Sequence, residues 1–336
     1  MKKIILLLFI LLLALMLYSA KKATLTEVMK PATISVDDHQ LYVTEDATIF
    51  IYSLNDFSML KKFGKQGQGP QEFALHPRVP VTLDVTTKEI VINSLGKVSY
   101  FTKKGEFLRE IKPMPNFYGF QPIGKEFLGL GQAFEEKALY NTVNLFDANL
   151  NKIKELYRAD SGLKGPGKGI QVLQRPFIYQ AYKNRILLPG SEENFIEAYN
   201  TEMKKLFTIK VKQEKLPVTQ EFKDKVIHYL KTSARTKDIY EFLLKPVTFP
   251  NHYPSIQAFF VVDDRIYVMT WKKEQLKNQF YIYDMKGTFI REHWIPLAYQ
   301  NELELYPITL KNGKLYQLIE DPDSEEWILH ISQIDL

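Results

Sequence analysis

Short apolar segments separated by polar turns recur along most of this 336-residue chain. Residues 63–111 contain one complete unit: a glycine-rich turn, two strands joined by a polar turn, a third strand ending in aromatic residues, a Lys-Gly turn and a fourth strand. Apolar and polar residues alternate within these segments, which is the pattern of half-buried β-strands. The stretch therefore predicts a four-stranded antiparallel sheet.

This unit repeats at a nearly constant interval. The residues that precede the polar turn after the third strand are Tyr52, Phe101, Phe146, Tyr199, Tyr283 and Ile331. The intervals between them are 49, 45, 53, 84 and 48 residues. A period of about 45–50 residues with four strands is typical of propeller blades. We therefore predict an all-β, six-bladed β-propeller over residues 21–336, with a β-sandwich or two β-domains as the alternative.

The two ends of the chain complement each other. The last unit offers three strands, whereas residues 23–30 precede the first full unit and place apolar side chains at Leu25, Val28 and Met29. An unpaired sheet edge is a liability, and pairing the two ends removes it. We expect Ala23 to Lys30 to form the outer strand of the last blade.

The 84-residue interval leaves room for a helical insertion between blades 4 and 5, at about residues 213–252. Phe222, Val226 and Leu230 recur at helical spacing within residues 219–234, and residues 237–245 predict a second short helix. The insertion is either a packed surface element or a lid over the mouth of the channel.

Two segments carry a resemblance to a known family. Gly67, Gly69, Pro70, Glu72 and Phe73 form a G-x-G-P-x-E-F turn, and residues 249–271 are similar to a later blade of the same kind. Both resemble the NHL- and TolB-like six-bladed β-propellers of exported bacterial proteins. The resemblance implies a fold and a compartment outside the cytoplasm, and it implies no particular reaction.

The N-terminus supports this location. Lys2 and Lys3 precede an apolar run over residues 4–20. Such a run is typical of a signal peptide, and its length leaves open an uncleaved N-terminal helix that attaches the protein to the inner membrane. Residues 1–20 are thus a signal peptide or a membrane anchor, and the ring is predicted to be periplasmic or secreted. The chain has no cysteine, so it cannot be a lipoprotein.

The composition offers little catalytic chemistry. The net charge is +5, without a basic stripe interleaved with aromatic residues, so no nucleic-acid partner is predicted. The six histidines show no metal-ligand spacing, and no nucleophile elbow or phosphate-binding loop occurs. Two acidic pairs, Asp37–Asp38 and Asp263–Asp264, occupy one place in the repeat and are predicted to be hairpin-turn residues. We predict no catalytic residue, no metal site and no cofactor.

One recurring pattern points to binding. Before several innermost strands, a proline has basic or aromatic neighbours, and the loops that enter innermost strands surround the mouth of a propeller channel. The predicted site residues there are Arg78, Tyr118, Arg175, His252, Tyr253 and Tyr306. Such a cationic, aromatic cup suits an anionic small molecule, a peptide, a glycan or a protein. The alternative is that the prolines stiffen these turns and their neighbours pack on the next blade.

Two function classes follow. The missing catalytic motifs favour an exported, non-enzymatic binding module of unassigned specificity. The alternative is a propeller hydrolase or lyase that holds a metal in its central channel, for which the predicted Arg and Tyr residues are poor ligands.

Overall fold

A computed structural model describes residues 21–334 except 77–78, 113–116, 136–137, 166, 174–177 and 213. The signal peptide or anchor predicted over residues 1–20 lies outside these residues and stays a prediction. Within the described part of the chain, no helix has the length and hydropathy needed to cross a membrane.

Six four-stranded antiparallel sheets confirm the predicted six-bladed propeller. The first half of the chain forms an initial strand, β1 (Lys21–Thr24), and three blades. Blade 1 contains β2 (Thr33–Val36), β3 (Gln40–Glu45), β4 (Thr48–Ser53) and β5 (Met59–Phe63). After the short strands β6 (Lys65–Gln66) and β7 (Glu72–Phe73), blade 2 contains β8 (Thr82–Val85), β9 (Glu89–Ser94), β10 (Lys97–Thr102) and β11 (Phe107–Ile111). Blade 3 contains β12 (Phe117–Ile123), β13 (Glu126–Glu135), β14 (Ala138–Phe146) and β15 (Lys152–Asp160).

The second half of the chain completes the ring. After β16 (Ile170–Gln171), blade 4 contains β17 (Gln180–Tyr182), β18 (Arg185–Pro189), β19 (Phe195–Asn200) and β20 (Lys205–Lys210). The insertion follows as α1 (Gln220–Thr232), α2 (Lys237–Ile239), a π-helical turn (Tyr240–Leu244) and β21 (Val247–Thr248). Blade 5 contains β22 (Ala258–Val262), β23 (Arg265–Glu274), β24 (Lys277–Asp284) and β25 (Phe289–Pro296). Blade 6 contains β26 (Ile308–Lys311), β27 (Lys314–Glu320) and β28 (Trp327–Gln333).

A separate apolar cluster lies at each of the six contacts between neighbouring blades. Between blades 2 and 3, for example, Tyr100 packs in one cluster with Phe120 and Phe146. The Phe146 ring meets Phe120 edge-to-face at 5.0 Å. Because a twisted sheet alone leaves two apolar faces in water, stacking in a closed ring is what buries them.

The N-terminal strand closes the ring on blade 6, as predicted. β1 pairs antiparallel with β28, and Lys21 lies opposite Ile331. The predicted extent was wrong: the strand ends at Thr24, and the chain then turns so that Leu25 and Val28 enter the cluster between blades 6 and 1. The Met29 side chain is exposed, and only its backbone groups make hydrogen bonds: the N–H donates to the Glu45 carboxylate at 2.9 Å, and the carbonyl oxygen accepts a 2.8 Å hydrogen bond from the indole of Trp327.

The antiparallel order within blades gives the ring two distinct faces. All connections between blades lie on one face, which we call the connection face. The turns that join first to second strands and third to fourth strands lie on the opposite face, which we call the hairpin face. The first strand of each blade is innermost and lines the channel.

Both predicted acidic pairs are turn residues on the hairpin face. The Asp37 carboxylate accepts hydrogen bonds from the backbone N–H groups of His39 and Gln40, at 2.9 and 2.8 Å. Asp263 and Asp264 have φ values of 50° and 56°, the left-handed conformation that a type I′ hairpin requires.

The G-x-G-P-x-E-F segment has a structural role on the connection face. The Glu72 carboxylate accepts a 2.8 Å hydrogen bond from the Gly69 N–H and pairs with Lys65 at 2.9 Å. A Cβ at Gly67 would lie 2.0 Å from the Glu72 carboxylate, so any other residue there would displace this carboxylate. Phe73 is fully buried in the cluster between blades 1 and 2, which anchors the loop to the ring.

The helical insertion lies between blades 4 and 5, as predicted, and has its own core. Phe222, Val226 and Leu230 pack from α1 onto Tyr240 and Leu244. The same cluster includes apolar residues of the connection between blades 3 and 4, where β16 pairs in parallel with β21. The insertion therefore packs on the connection face.

Gly169 fixes this attachment. It has a φ of +76°, and a Cβ there would lie 1.9 Å from the carbonyl oxygen of Pro246. We expect Gly169→Ala to destabilise the insertion locally by about 1–3 kcal/mol, because both the backbone and the contact become strained. Faster amide hydrogen exchange in α1, with unchanged exchange in the blades, would show this.

Gly167→Ala is the matched control for that change. Gly167 has a similar φ of +70°, but nothing lies within 4 Å of its added Cβ. The control should therefore carry the backbone strain without the collision. Equal exchange in the two variants would contradict the role assigned to the Gly169 contact.

Candidate functional site

A cleft of about 450 Å³ opens between the insertion and blade 5 on the connection face. We call it the insertion cleft. It is lined by Leu216, Pro217, Thr219, Glu221, Phe222, Lys225, Tyr253, Trp271, Lys272, Lys273 and Glu302. Its size falls within the range of small-molecule sites, which is about 300–1,000 Å³.

Local structure places the aromatic side chains of the cleft. The Thr219 hydroxyl caps α1 by accepting the Phe222 N–H at 3.2 Å, which holds Phe222 in the first turn of the helix. The register of β23 with β24 is interrupted between Met269 and Lys273, and Trp271 lies in this interruption. The rings of Tyr253 and Trp271 stack at 4.9 Å, and Phe222 meets Tyr253 edge-to-face at 5.1 Å. The cleft thus has a rigid aromatic wall.

Charged groups surround this wall. Lys225 pairs with Glu221 at 2.9 Å and with Glu302 at 3.2 Å, so it links α1 to the connection between blades 5 and 6. Lys272 pairs with Glu214 at 3.0 Å. Carboxylates therefore already neutralise two of the three lysines of the cleft.

Lys273 is different. Its Nζ lies 3.5 Å from the centre of the Tyr299 ring, and no carboxylate of the described residues lies within ion-pair distance. Desolvation against the protein lowers the pKa of Lys273, opposed by the charge of Glu302 and reinforced by Lys225. A cation held on a ring face without an anion is suited to an anionic group of a ligand.

A smaller cavity of about 190 Å³ lies where the innermost strands of blades 2 and 3 begin. Its lining includes Pro80, Thr82, Ser94 and Tyr118. Next to it, the Tyr179 hydroxyl donates a short hydrogen bond to the Gly119 carbonyl oxygen. We call this the channel cavity.

Asp84 lies on β8, the innermost strand of blade 2, two residues after Thr82 of the channel cavity. Its carboxyl keeps some contact with solvent, yet protein surrounds it within the ring. Desolvation raises the pKa of Asp84 to about 7. This carboxyl group therefore changes its charge near neutral pH, unlike an ordinary aspartate.

The predicted site residues lie in several different surroundings. Tyr118 lines the channel cavity, and Tyr253 lines the insertion cleft, with His252 exposed beside it. Tyr306 packs edge-to-face on Trp327 at 5.8 Å, at the contact between blades 6 and 1. Arg78 and Arg175 lie outside the described residues, so the predicted cationic, aromatic cup at the channel mouth stays a prediction.

Sequence patterns missed several residues of these cavities. Trp271 and Lys273 belong to a segment that predicts an ordinary strand, and Asp84 occupies an alternating position in another. Among the side chains that the structure describes, no group of three His, Cys, Asp or Glu residues is arranged to hold a metal ion. The cavities offer stacking, charge and hydrogen bonds, which are the means of binding.

No protein-family model matches the chain, and no curated protein matches it. Solved structures do resemble it. A member of the DUF4221 family from Bacteroides vulgatus superposes with a TM-score of 0.51 at 10% identity, covering 94% of this chain and 97% of that one. A luciferin-regenerating enzyme gives a TM-score of 0.44 at 8% identity, with 94% and 96% covered. The Pan2 WD40 domain of Neurospora crassa gives 0.44 at 8% identity, with 91% of each chain covered. The DUF4221 likeness supports the fold alone, and the chain is a six-bladed β-propeller.

Proposed function

We propose that this protein is an exported, non-enzymatic binding module of the NHL- or TolB-like kind, and that its ligand occupies the insertion cleft. The ligand is a carboxylated small molecule, glycan or peptide, or the acidic segment of a protein. The observation that carries the proposal is the aromatic wall of the cleft beside Lys273, whose ammonium group faces no described carboxylate.

The chemistry of the cleft supports an anionic, partly apolar ligand. Tyr253 and Trp271 offer ring surface for stacking against a sugar or an apolar side chain. Glu221 and Glu302 are held by Lys225 and can accept hydroxyl or amide donors. Export rests on Lys2, Lys3 and the apolar residues 4–20, which in this proposal keep the ring outside the cytoplasm and attached to the membrane.

Lys273→Gln tests the site. We expect it to weaken binding of carboxylated probes by about tenfold or more, since a charge-assisted hydrogen bond contributes about 1.5–3 kcal/mol. The probes are uronic-acid oligosaccharides and short peptides with free carboxyl termini. Their binding to the wild type and to the variant is measured by thermal shift and by calorimetry.

Lys237→Gln is the matched control, because it removes the same charge from an exposed position of the insertion that does not line the cleft. Uncharged analogues of each probe should bind both variants equally. A probe that binds wild type, Lys273→Gln and Lys237→Gln with one affinity would place its site elsewhere.

A further inference from the structure

A repeated exposed aliphatic residue marks the start of the outermost strand in five of the six blades. These residues are Leu60, Leu108, Ile153, Leu206 and Ile290, and 43–52% of each is exposed to solvent. Each lies at a β-bulge, where the ladder skips it and pairs the residues on either side with the third strand. An exposed aliphatic side chain therefore recurs at the same structural position in five blades, and these side chains are distributed around the ring.

These positions share one level of the molecule. Each follows the turn between third and fourth strands, so all five lie at the rim of the hairpin face. Met59 and Phe289, directly before two of them, are exposed there as well. Among the residues that the structure describes, exposed large apolar side chains on the connection face do not recur at one position of the repeat. The hairpin face therefore carries a regular apolar rim.

The sixth blade reaches the same level in another way. Its outermost strand is β1, and Lys21 pairs with Ile331 as Met59 pairs with Tyr52 in blade 1. The apolar residues 4–20 join the ring at this point. The segment that we propose as a membrane anchor thus enters at the rim that carries the five aliphatic residues.

Basic residues accompany the rim. A lysine or arginine adjoins each rim aliphatic in the sequence: Lys61, Arg109, Lys152, Lys205 and Arg291. Three of them, Arg109, Lys152 and Lys205, pair with Glu89, Glu155 and Glu197, so a lipid phosphate would have to compete with these carboxylates. In the sixth blade, Lys22 holds the corresponding place. Aliphatic groups that enter a bilayer interface next to basic groups that reach the headgroups are the composition of membrane-surface segments.

We infer that the hairpin face rests on a lipid bilayer. The inference deepens the proposed function, because it relies on the membrane attachment through residues 4–20. The apolar side chains are spaced one blade apart around the perimeter, which fits an extended flat surface better than the compact patch of a protein partner. In this orientation the connection face and its insertion cleft point away from the lipid, open to a ligand.

The absence of cysteine from the chain allows a direct test. Single variants with cysteine in place of each rim aliphatic are labelled with nitrobenzoxadiazole. The full chain is then reconstituted in vesicles of phosphatidylcholine and phosphatidylglycerol. We expect brominated phosphatidylcholine to reduce the fluorescence of all five labels. Leu276→Cys is the control: Leu276 is apolar and 89% exposed, but lies in a turn of the connection face, so its label should keep its fluorescence.

The outcomes separate the two proposals. Unchanged fluorescence at the five rim labels, with the chain still attached to the vesicles, overturns the orientation and leaves the attachment standing. A blue-shifted rim label that bromolipid does not quench indicates a protein contact, such as a second copy, and also overturns it. A chain that leaves the vesicles overturns attachment and orientation together, whereas binding of the carboxylated probes tests the cleft independently.

Discussion

Replacing Leu25 by alanine is expected to lower the free energy of unfolding by about 2–5 kcal/mol, the range for truncating a buried aliphatic side chain. Leu25 is 1% exposed and packs with Trp327 and Leu329 in the cluster that closes the ring. Its N–H also donates a 2.8 Å hydrogen bond to the Trp327 carbonyl oxygen. The cavity therefore opens at the one contact where the two ends of the chain meet.

Met29→Ala is the control, since Met29 belongs to the same segment but is 74% exposed. Urea unfolding followed by intrinsic fluorescence gives the free energy of each variant. The control should stay within about 0.5 kcal/mol of the wild type. If Leu25→Ala were as stable as Met29→Ala, the packing of Leu25 between blades 6 and 1 would contribute little to the stability of the ring, contrary to the contacts described above.

Asp84→Asn is expected to make the protein more stable at pH 8 and to flatten its stability between about pH 4 and pH 7. The pKa of Asp84 rises from the ordinary 3.8 to about 7 in the folded ring, because burial disfavours the charged form. Between these values the folded state holds a proton that the unfolded chain has released, so stability falls as the pH rises. The relative stabilisation is complete below about pH 4 and is lost as the pH rises through about 7.

The expected gain of the variant at pH 8 is up to about 4 kcal/mol, reduced by any water that reaches the carboxylate through the channel. Denaturant unfolding at a series of pH values measures it. Asp323→Asn changes an exposed aspartate of a blade 6 turn and should leave the profile unaltered. Parallel pH profiles for wild type and Asp84→Asn would show that Asp84 titrates as an ordinary carboxyl.

The fold could be predicted because each blade is specified by local patterns that repeat. Tyr52, Phe101 and Tyr283 precede their turns at equivalent places, and the structure puts each at the end of a third strand beside a bulge. The pairing of the N-terminal strand with blade 6 could be predicted, because the last unit lacks one strand and the N-terminus has an unassigned one. The length of that strand could not, because it ends where Leu25 packs with Trp327 and Leu329 from the other end of the chain.

The cavities could not be predicted in the same way, because they form between distant segments. Lys273 lies near the end of β23 and becomes distinctive only because Tyr299 lies under its ammonium group. Asp84 alternates like any strand residue, and ring closure alone encloses it. Tyr306 was predicted from its place before an innermost strand, but its contact with Trp327 from a distant segment was not.

The pairing of β1 with β28 also has a consequence for biosynthesis. The first strand to be made finds its partner only when residues 327–333 have been synthesised. Until then blade 1 exposes its apolar face, including Leu41 and Phe50, to water and to other chains. Such exposed sheets aggregate during slow, non-local folding. Codon changes that slow translation of blade 6 should therefore raise the yield of aggregate, because they lengthen the time for which the first blade stays uncovered.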